Sequence, residues 1–353
     1  MLTIGQESSQ PVEIDAGSKV WAVTFSANGE YIVSGDNENI RVWRVDDWKQ
    51  LATIETGTVN CVAVSNDGKW IAAGTQLHGV FVWDAVTFRL AIRHSEYQSV
   101  HGVNFSPDSM RLVSAAYKKA IVWDMVTRKQ VQILEHQNYV IAAKHSPQGD
   151  RIATATADGS VQVWDGNDGR LLVDIKLKLT PQYNTGLLWF NDHLFVVSDD
   201  KIKEFDAYTR SPVSESPVPN SNYYSCIALP EHRAFIAYSK NRSLTLWDTS
   251  THSQLALIQH PQDIRSIAFS PDDHFIAIGG EDGKITIQSV SRINVSVLSR
   301  WIRHIRETLR VFPHRIPSRC LVYIQLFKSL TSISIALRST YGKMTNSRTQ
   351  TCY

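Results

Sequence analysis

The chain has 353 residues, 43% of them hydrophobic and 10% aromatic, and carries 36 basic and 34 acidic side chains for a formal net charge of +2. That composition supplies a sizeable core and does not fit an intrinsically disordered chain. Residues 299–353 hold ten Lys or Arg and one acid, Glu307, so subtraction leaves residues 1–298 with 26 basic and 33 acidic side chains, a net of −7. A mildly acidic body argues against non-specific nucleic-acid binding, which needs a basic face.

The opening residues, MLTIGQESSQPVEID, lack the charged start and apolar run of a secretory signal, and the sequence therefore predicts no export. Cys61, Cys226, Cys320 and Cys352 are widely separated, with no CxxC pair. This spacing predicts free thiols in a reducing compartment, the cytoplasm or, carried by a partner, the nucleus. Val12 to Ile14, after Gln10-Pro11, reads as a first short strand.

From there one period organises the chain. RVW at Trp43, FVW at Trp83, IVW at Trp123, VQVW at Trp164, KEF at Phe205, LTLW at Trp247 and ITIQ at Gln288 follow one another at 40, 40, 41, 41, 42 and 41 residues, making seven units. Most units open alike, as in VWAVTFSANG from Val20, VHGVNFSPDS from Val100 and IRSIAFSPDD from Ile264. Apolar alternation ending in Asn, Pro, Asp or Gly reads as a strand and a tight turn. A second apolar run follows, then a polar turn, then the strand bearing the Trp. A fourth strand comes next in most units, for example Gln50 to Ile54, Gln130 to Leu134, Arg170 to Ile175 and Gln254 to Ile258.

Four short strands in each of seven units predict an all-β, seven-bladed propeller over residues 1–298. A β-sandwich or an open solenoid would not return a Trp at so constant an interval. Val12 to Ile14 can supply the outer strand of the last blade, and Ile293 to Leu298 competes for the same place, which the sequence leaves open.

Trp83-Asp84, Trp123-Asp124, Trp164-Asp165 and Trp247-Asp248 give the repeat an explicit signature, and over about residues 12–298 the chain resembles the WD40 family. That resemblance implies, within a blade, a hydrogen-bonded set of a His before the first strand, a Ser or Thr in the second, an Asp in the next turn and the Trp. The fourth unit alone holds all four, as His136, Thr154, Asp158 and Trp164. The third has His94, Ser114 and Trp123, and the seventh has His260 and Asp282.

Chemical motifs are otherwise sparse. There is no phosphate-cradling loop before a helix, no HExxH and no GxSxG. Gly279 to Gly283 reads as a turn between strands, the histidines form no ligand cluster in sequence, and Asp46-Asp47 and Asp199-Asp200 read as solvated turns. The sequence predicts no catalytic residue, no metal and no cofactor. A propeller-based enzyme, with residues gathered only in space, stays as an alternative.

Partner binding is expected where the first strands begin. Trp21 shares the parity of Val23 and Phe25 but lies one pleat beyond them, at the rim. The matching positions are Asn60, His101, Ile141, Thr185, Ser225 and Arg265. The residues two before them, Lys19, Thr58, Ser99, Tyr139, Tyr183, Tyr223 and Asp263, belong to the same rim. The resemblance implies that both sets contact partners. Trp21, His101, Tyr139, Tyr183, Tyr223 and Arg265 are therefore the candidate binding residues, since Trp, Tyr and Arg dominate interface energies. The expected role is a non-catalytic scaffold for other proteins or peptides. A substrate-recognition subunit of a ubiquitin ligase is the alternative, but the WDxR box it would suggest is absent, with Val86, Val126, Asn167 and Ser250 at its last position.

Residues 299–353 form a basic tail. Trp301, Ile302, Ile305, Leu309 and Phe312 fall on one helical face amid Arg300, Arg303, Arg306 and Arg310, predicting an amphipathic helix over 300–312 that packs on the acidic propeller or makes weak contact with an acidic membrane surface. Leu321 to Leu337 is interrupted by Gln325 and Lys328 and is expected not to span a membrane. The remainder is expected to be disordered.

Overall fold

The structure, a computed structural model, describes residues 11–94, 99–177, 186–198, 201–209, 211–217, 226–230, 235–248 and 253–290. The chain divides into two compact units, Met1–Asn294 and Val295–Tyr353. The expected helix over 300–312, the rest of the tail and Ile293 to Leu298 all lie outside the described residues.

The described strands form seven four-stranded antiparallel sheets. Blade 1 is representative, with strands Ala22–Phe25, Tyr31–Gly35, Asn39–Arg44 and Gln50–Glu55 in sequential order. Blades 2 to 6 follow over 59–94, 100–135, 140–176, 187–217 and 227–259. Blade 7 takes Ile264–Phe269, Phe275–Gly280 and Lys284–Ser289 from the end of the propeller and Val12–Asp15 from its beginning. The N-terminal strand runs antiparallel to the third strand with Val12 opposite Ile287 and Asp15 opposite Lys284, so it takes the place for which two segments competed in the sequence. Inner strands of successive blades touch all the way round, including the last against the first.

Local chemistry makes each turn. In blade 3, Ser106 Oγ donates to Asp108 Oδ1 at 2.6 Å and accepts from Arg111 N at 2.8 Å, while Asp108 Oδ1 accepts from Met110 N at 2.9 Å. Ser109 completes the reversal with φ 61°. The bond from Ser106, then that from Met110, holds the Asp108 carboxyl below the usual range. At the far end of the Trp strand Asp84, Asp124 and Asp165 close the next turn. Asp84 Oδ1 accepts from Thr87 N at 2.7 Å and Thr87 Oγ1 at 2.8 Å. Asp206 keeps this turn in blade 5, accepting from Thr209 N at 2.7 Å, although Phe205 replaces the Trp.

Blades join by insertion. Val20, Val59, Val100, Val140 and Ile264, which open inner strands, are completely or almost completely buried. A Cβ built on Gly35 would stand 2.3 Å from Val59, one on Gly74 2.5 Å from Val100, and one on Gly279 2.8 Å from Val20. Glycine in the second strand of one blade thus makes the hole that the next blade's valine fills. The same residues stitch backbones together: Val20 N donates to Gly280 O at 3.1 Å, Val59 N to Asp36 O at 2.9 Å and Ile264 N to Asn241 O at 2.7 Å.

One core position departs from this apolar scheme. Phe25, Phe105 and Phe269 end the inner strands of blades 1, 3 and 7, and His145 takes that place in blade 4. It is 7% exposed, and neither ring nitrogen has a hydrogen-bond partner among the described residues. Burial pushes its pKa down to about 4, against smaller opposing effects of the Asn104 backbone and of the nearby Asp108. His136 is likewise held at about 4 by burial. Both imidazoles bind protons more tightly in the unfolded chain, so the stability their neutral forms contribute is complete above about pH 6.5 and is lost as pH falls through that value towards 4. The loss is on the order of 3 kcal/mol for each histidine. His145→Phe is expected to raise the unfolding midpoint at pH 7 and to flatten its decline between pH 6.5 and 4, with His136 supplying the remaining slope; thermal unfolding across that range measures both.

Candidate functional site

The inner strands surround a central channel with a volume of about 990 Å³, and their first residues ring its mouth. Trp21, Asn60, His101, Tyr139 and Arg265 all line it, as the rim positions require, together with Ile141, which is 4% exposed. Tyr183 and Tyr223 lie outside the described residues.

Trp21 and Arg265 are locked to each other where blade 7 meets blade 1. The indole Nε1 of Trp21 donates to Asn37 Oδ1 at 2.7 Å. The Arg265 guanidinium lies 5.2 Å from the Trp21 ring centroid and the Lys19 ammonium 5.0 Å from it, both within cation–π range. Glu281 Oε2 accepts from Arg265 at 2.8 Å, and Glu281 Oε1 pairs with Lys19. The Lys19 bond, followed by that from Arg265, keeps the Glu281 carboxyl below its ordinary value. Arg265 is only 8% exposed, so it braces the wall.

The accessible apolar surface is on the other side of the mouth. Tyr139 is 46% exposed and meets Tyr117, 39% exposed, edge to face at 4.8 Å between centroids. Leu77, in the turn between the second and third strands of blade 2, is 62% exposed and lines the channel. Tyr117 and Leu77 were missed by a search confined to the starts of inner strands. Their signal is an apolar residue within an otherwise polar turn, as in Gln76-Leu77-His78 and Tyr117-Lys118-Lys119.

Little in the channel is set up for covalent chemistry. Burial pushes the Cys61 thiol up to about 12 and the Cys226 thiol up to about 11, so neither is a thiolate near neutral pH. Burial also holds His101 below the ordinary imidazole value. Among the described residues, no group of three or more His, Cys, Asp or Glu is arranged to hold a metal ion.

The hydrogen-bonded set in blade 4 is three-membered. His136 Nδ1 donates to Leu134 O at 2.8 Å, which leaves Nε2 of the neutral ring as an acceptor. Thr154 Oγ1, 2.8 Å away, donates to it and accepts from Trp164 Nε1 at 2.9 Å. Asp158 stands outside this chain, accepting from Thr156 Oγ1 at 2.6 Å, because the ring nitrogen that would turn to it is already bonded to the backbone. In blade 3 Trp123 Nε1 donates to Ser114 Oγ at 3.0 Å and the His94 ring lies 4.8 Å from the indole. Blade 7 has no Trp, and His260 Nε2 bonds Thr286 Oγ1 on the third strand at 3.1 Å.

Seven closed blades, with Trp on the third strand of five and an Asp after it in four of these, define a WD40-type β-propeller. The chain belongs to the family of the first β-propeller of IFT122, whose description matches residues 19–289. It is also 23% identical over 310 residues to Protein groucho of Drosophila melanogaster, which covers 81% of this chain and 41% of that protein. Autophagy-related protein 16 of Arabidopsis thaliana is 23% identical, over 78% of this chain and 48% of its own length. Small ribosomal subunit protein RACK1y of Oryza sativa subsp. japonica is 28% identical, over 41% and 47% respectively. The chain spans less than half the length of each of these relatives. The solved structure of U3-55K superposes with a TM-score of 0.71 at 18% identity, covering 81% of this chain and all of that one, a likeness of fold.

Thr154→Val keeps the shape of the side chain and strands both His136 Nε2 and the Trp164 indole in the core. The expected result is a loss of about 2 to 4 kcal/mol, seen as a lower urea midpoint at unchanged slope, with Thr154→Ser restoring most of it.

Proposed function

We propose that this propeller is a non-catalytic platform that docks partner proteins or peptides on the channel mouth, along the side formed by blades 2 to 4. WD40 propellers of this kind are typically protein-interaction scaffolds. The observation that carries the reading is the exposed Tyr117–Tyr139 pair with Leu77. Two tyrosines held edge to face present amphipathic area with little side-chain freedom left to lose on binding. Trp21 and Arg265, by contrast, act as the rigid border that the blade 7 to blade 1 junction gives the same mouth. The wide spacing of the cysteines supports a cytoplasmic or nuclear setting, since neither compartment favours disulfides. No helix among the described residues is long and apolar enough to cross a membrane.

The pair Tyr117→Ala and Tyr139→Ala tests this reading better than Trp21→Ala, which would also break the contacts with Asn37, Lys19 and Arg265. With the intact chain as bait, the double variant is expected to keep its unfolding midpoint while its affinity for a specifically captured partner falls about tenfold or more, as for an interface anchor. Captured partners that bind the double variant and the parent equally would refute docking at this mouth.

A further inference from the structure

The third strands share one apolar column that a single blade breaks. The residue before the Trp position is Val42, Val82, Val122, Val163, Leu246 or Ile287 in six blades, each at most 2% exposed, and it is Glu204, also buried, in blade 5. This column faces the following blade, as Val122 does when it packs with Val140, Ile152 and Trp164 of blade 4. Glu204 therefore lies in the seam between blades 5 and 6. Its surroundings change with it. Ser214, opposite it on the fourth strand where blades 1 and 6 have Ala52 and Ala256, donates to Glu204 Oε2 at 2.6 Å. His193 Nδ1 stands 2.9 Å from Glu204 Oε1, within ion-pair range but outside hydrogen-bonding geometry.

A buried carboxyl group stabilises a seam less than the methyl groups it replaces unless both its oxygens are well bonded. What remains of the buried apolar contact here is Phe195 and Ile202 of blade 5 against Ile236, Tyr238 and Trp247 of blade 6. The axial edge of blade 6 is short as well. Its inner strand is Ile227–Ala228 and gives way to Leu229-Pro230, whereas the other six inner strands have four or six residues. Few backbone bonds then hold blade 6 near the axis, and Pro230 has no N–H with which to add one. We propose that the ring opens at this seam, with His193, Glu204 and Ser214 as a polar latch between blades 5 and 6. Opening parts these two blades while the other junctions hold, a local event of the kind that weakly packed elements undergo. The Tyr117–Tyr139 pair and Leu77 belong to blades 2 to 4, so the latch does not rest on the docking reading above.

The test is thiol trapping in the full chain carrying Cys61→Ala, Cys226→Ala, Cys320→Ser and Cys352→Ser. Ile236→Cys then puts one thiol in this seam, and Ile152→Cys puts its counterpart in the seam between blades 3 and 4; both isoleucines are completely buried. With N-ethylmaleimide in excess, the Ile236→Cys thiol is expected to react about tenfold or more faster than the Ile152→Cys thiol. Adding Glu204→Val with Ser214→Ala, which copies Val42 and Ala52 of blade 1, is expected to slow the first about tenfold and leave the second unchanged. Ser214→Ala alone, which takes the hydroxyl from the carboxyl, is expected to speed the first alone. Equal rates at the two thiols, a repacked seam that opens as fast as the parent's, or rates that rise and fall together would overturn the proposal. Hydrogen exchange of the unsubstituted chain needs no probe residue: blade 6 is expected to lose protection before blade 3, and the reverse order would overturn the proposal too.

Discussion

The insertion of a β-branched residue over a glycine of the preceding blade is the constraint on which the ring depends. A sheet of four strands exposes two faces, and neither is stable alone in water. Val59 over Gly35, Val100 over Gly74 and Val20 over Gly279 bring the inner strands close enough for backbone groups of adjacent blades to bond. Because Val20 over Gly279 belongs to the junction of last blade and first, closure uses the same contact as propagation. The inner strands then converge on the axis, and a channel with a defined mouth follows from that convergence alone.

Much of this was legible in the sequence because one feature recurs. A position held by Trp in five units, and by Phe205 and Gln288 in the others, recurs every 40 to 42 residues and counts the blades, and the Ser, Pro, Asp and Gly clusters mark the turns through bonds that are local to a few residues. What depended on backbone partners and on burial was less legible. Asp158 was expected to join His136, but the ring's tautomer is decided by the Leu134 carbonyl, which no residue type reveals. His145 reads as a polar residue before a turn until it is laid over Phe25, Phe105 and Phe269, when it proves to occupy a core position. The choice between two strands for closing the ring was beyond composition altogether, since both are short and alternating.

The mouth followed the same division. Strand position pointed to Trp21, His101 and Arg265, and the family resemblance to Tyr139, all of which line the channel. Neither separated Tyr139, which faces outward beside Tyr117, from Arg265, which is enclosed by Trp21 and Glu281. Exposure is a property of the junction between blades, and junctions differ: cations and an acid knit blade 7 to blade 1, whereas blades 3 and 4 meet beneath two tyrosine rings. One side of the mouth is consequently stiff and polar, the other open and aromatic.

The placement of Val12–Asp15 against Lys284–Ser289 also orders events in time. During synthesis Val12 has nothing to pair with until Ile287, at the other end of the propeller, has emerged. Blades 1 to 6, each built from consecutive strands, can form as they appear, whereas the seventh waits for both ends of the propeller. Until then its third strand has an unpaired edge, the kind of surface that recruits strands from other chains. Ring closure therefore joins strands 271 residues apart, counted from Glu13 to Lys284, and without Lys284–Ser289 the strand Val12–Asp15 has no partner in the propeller.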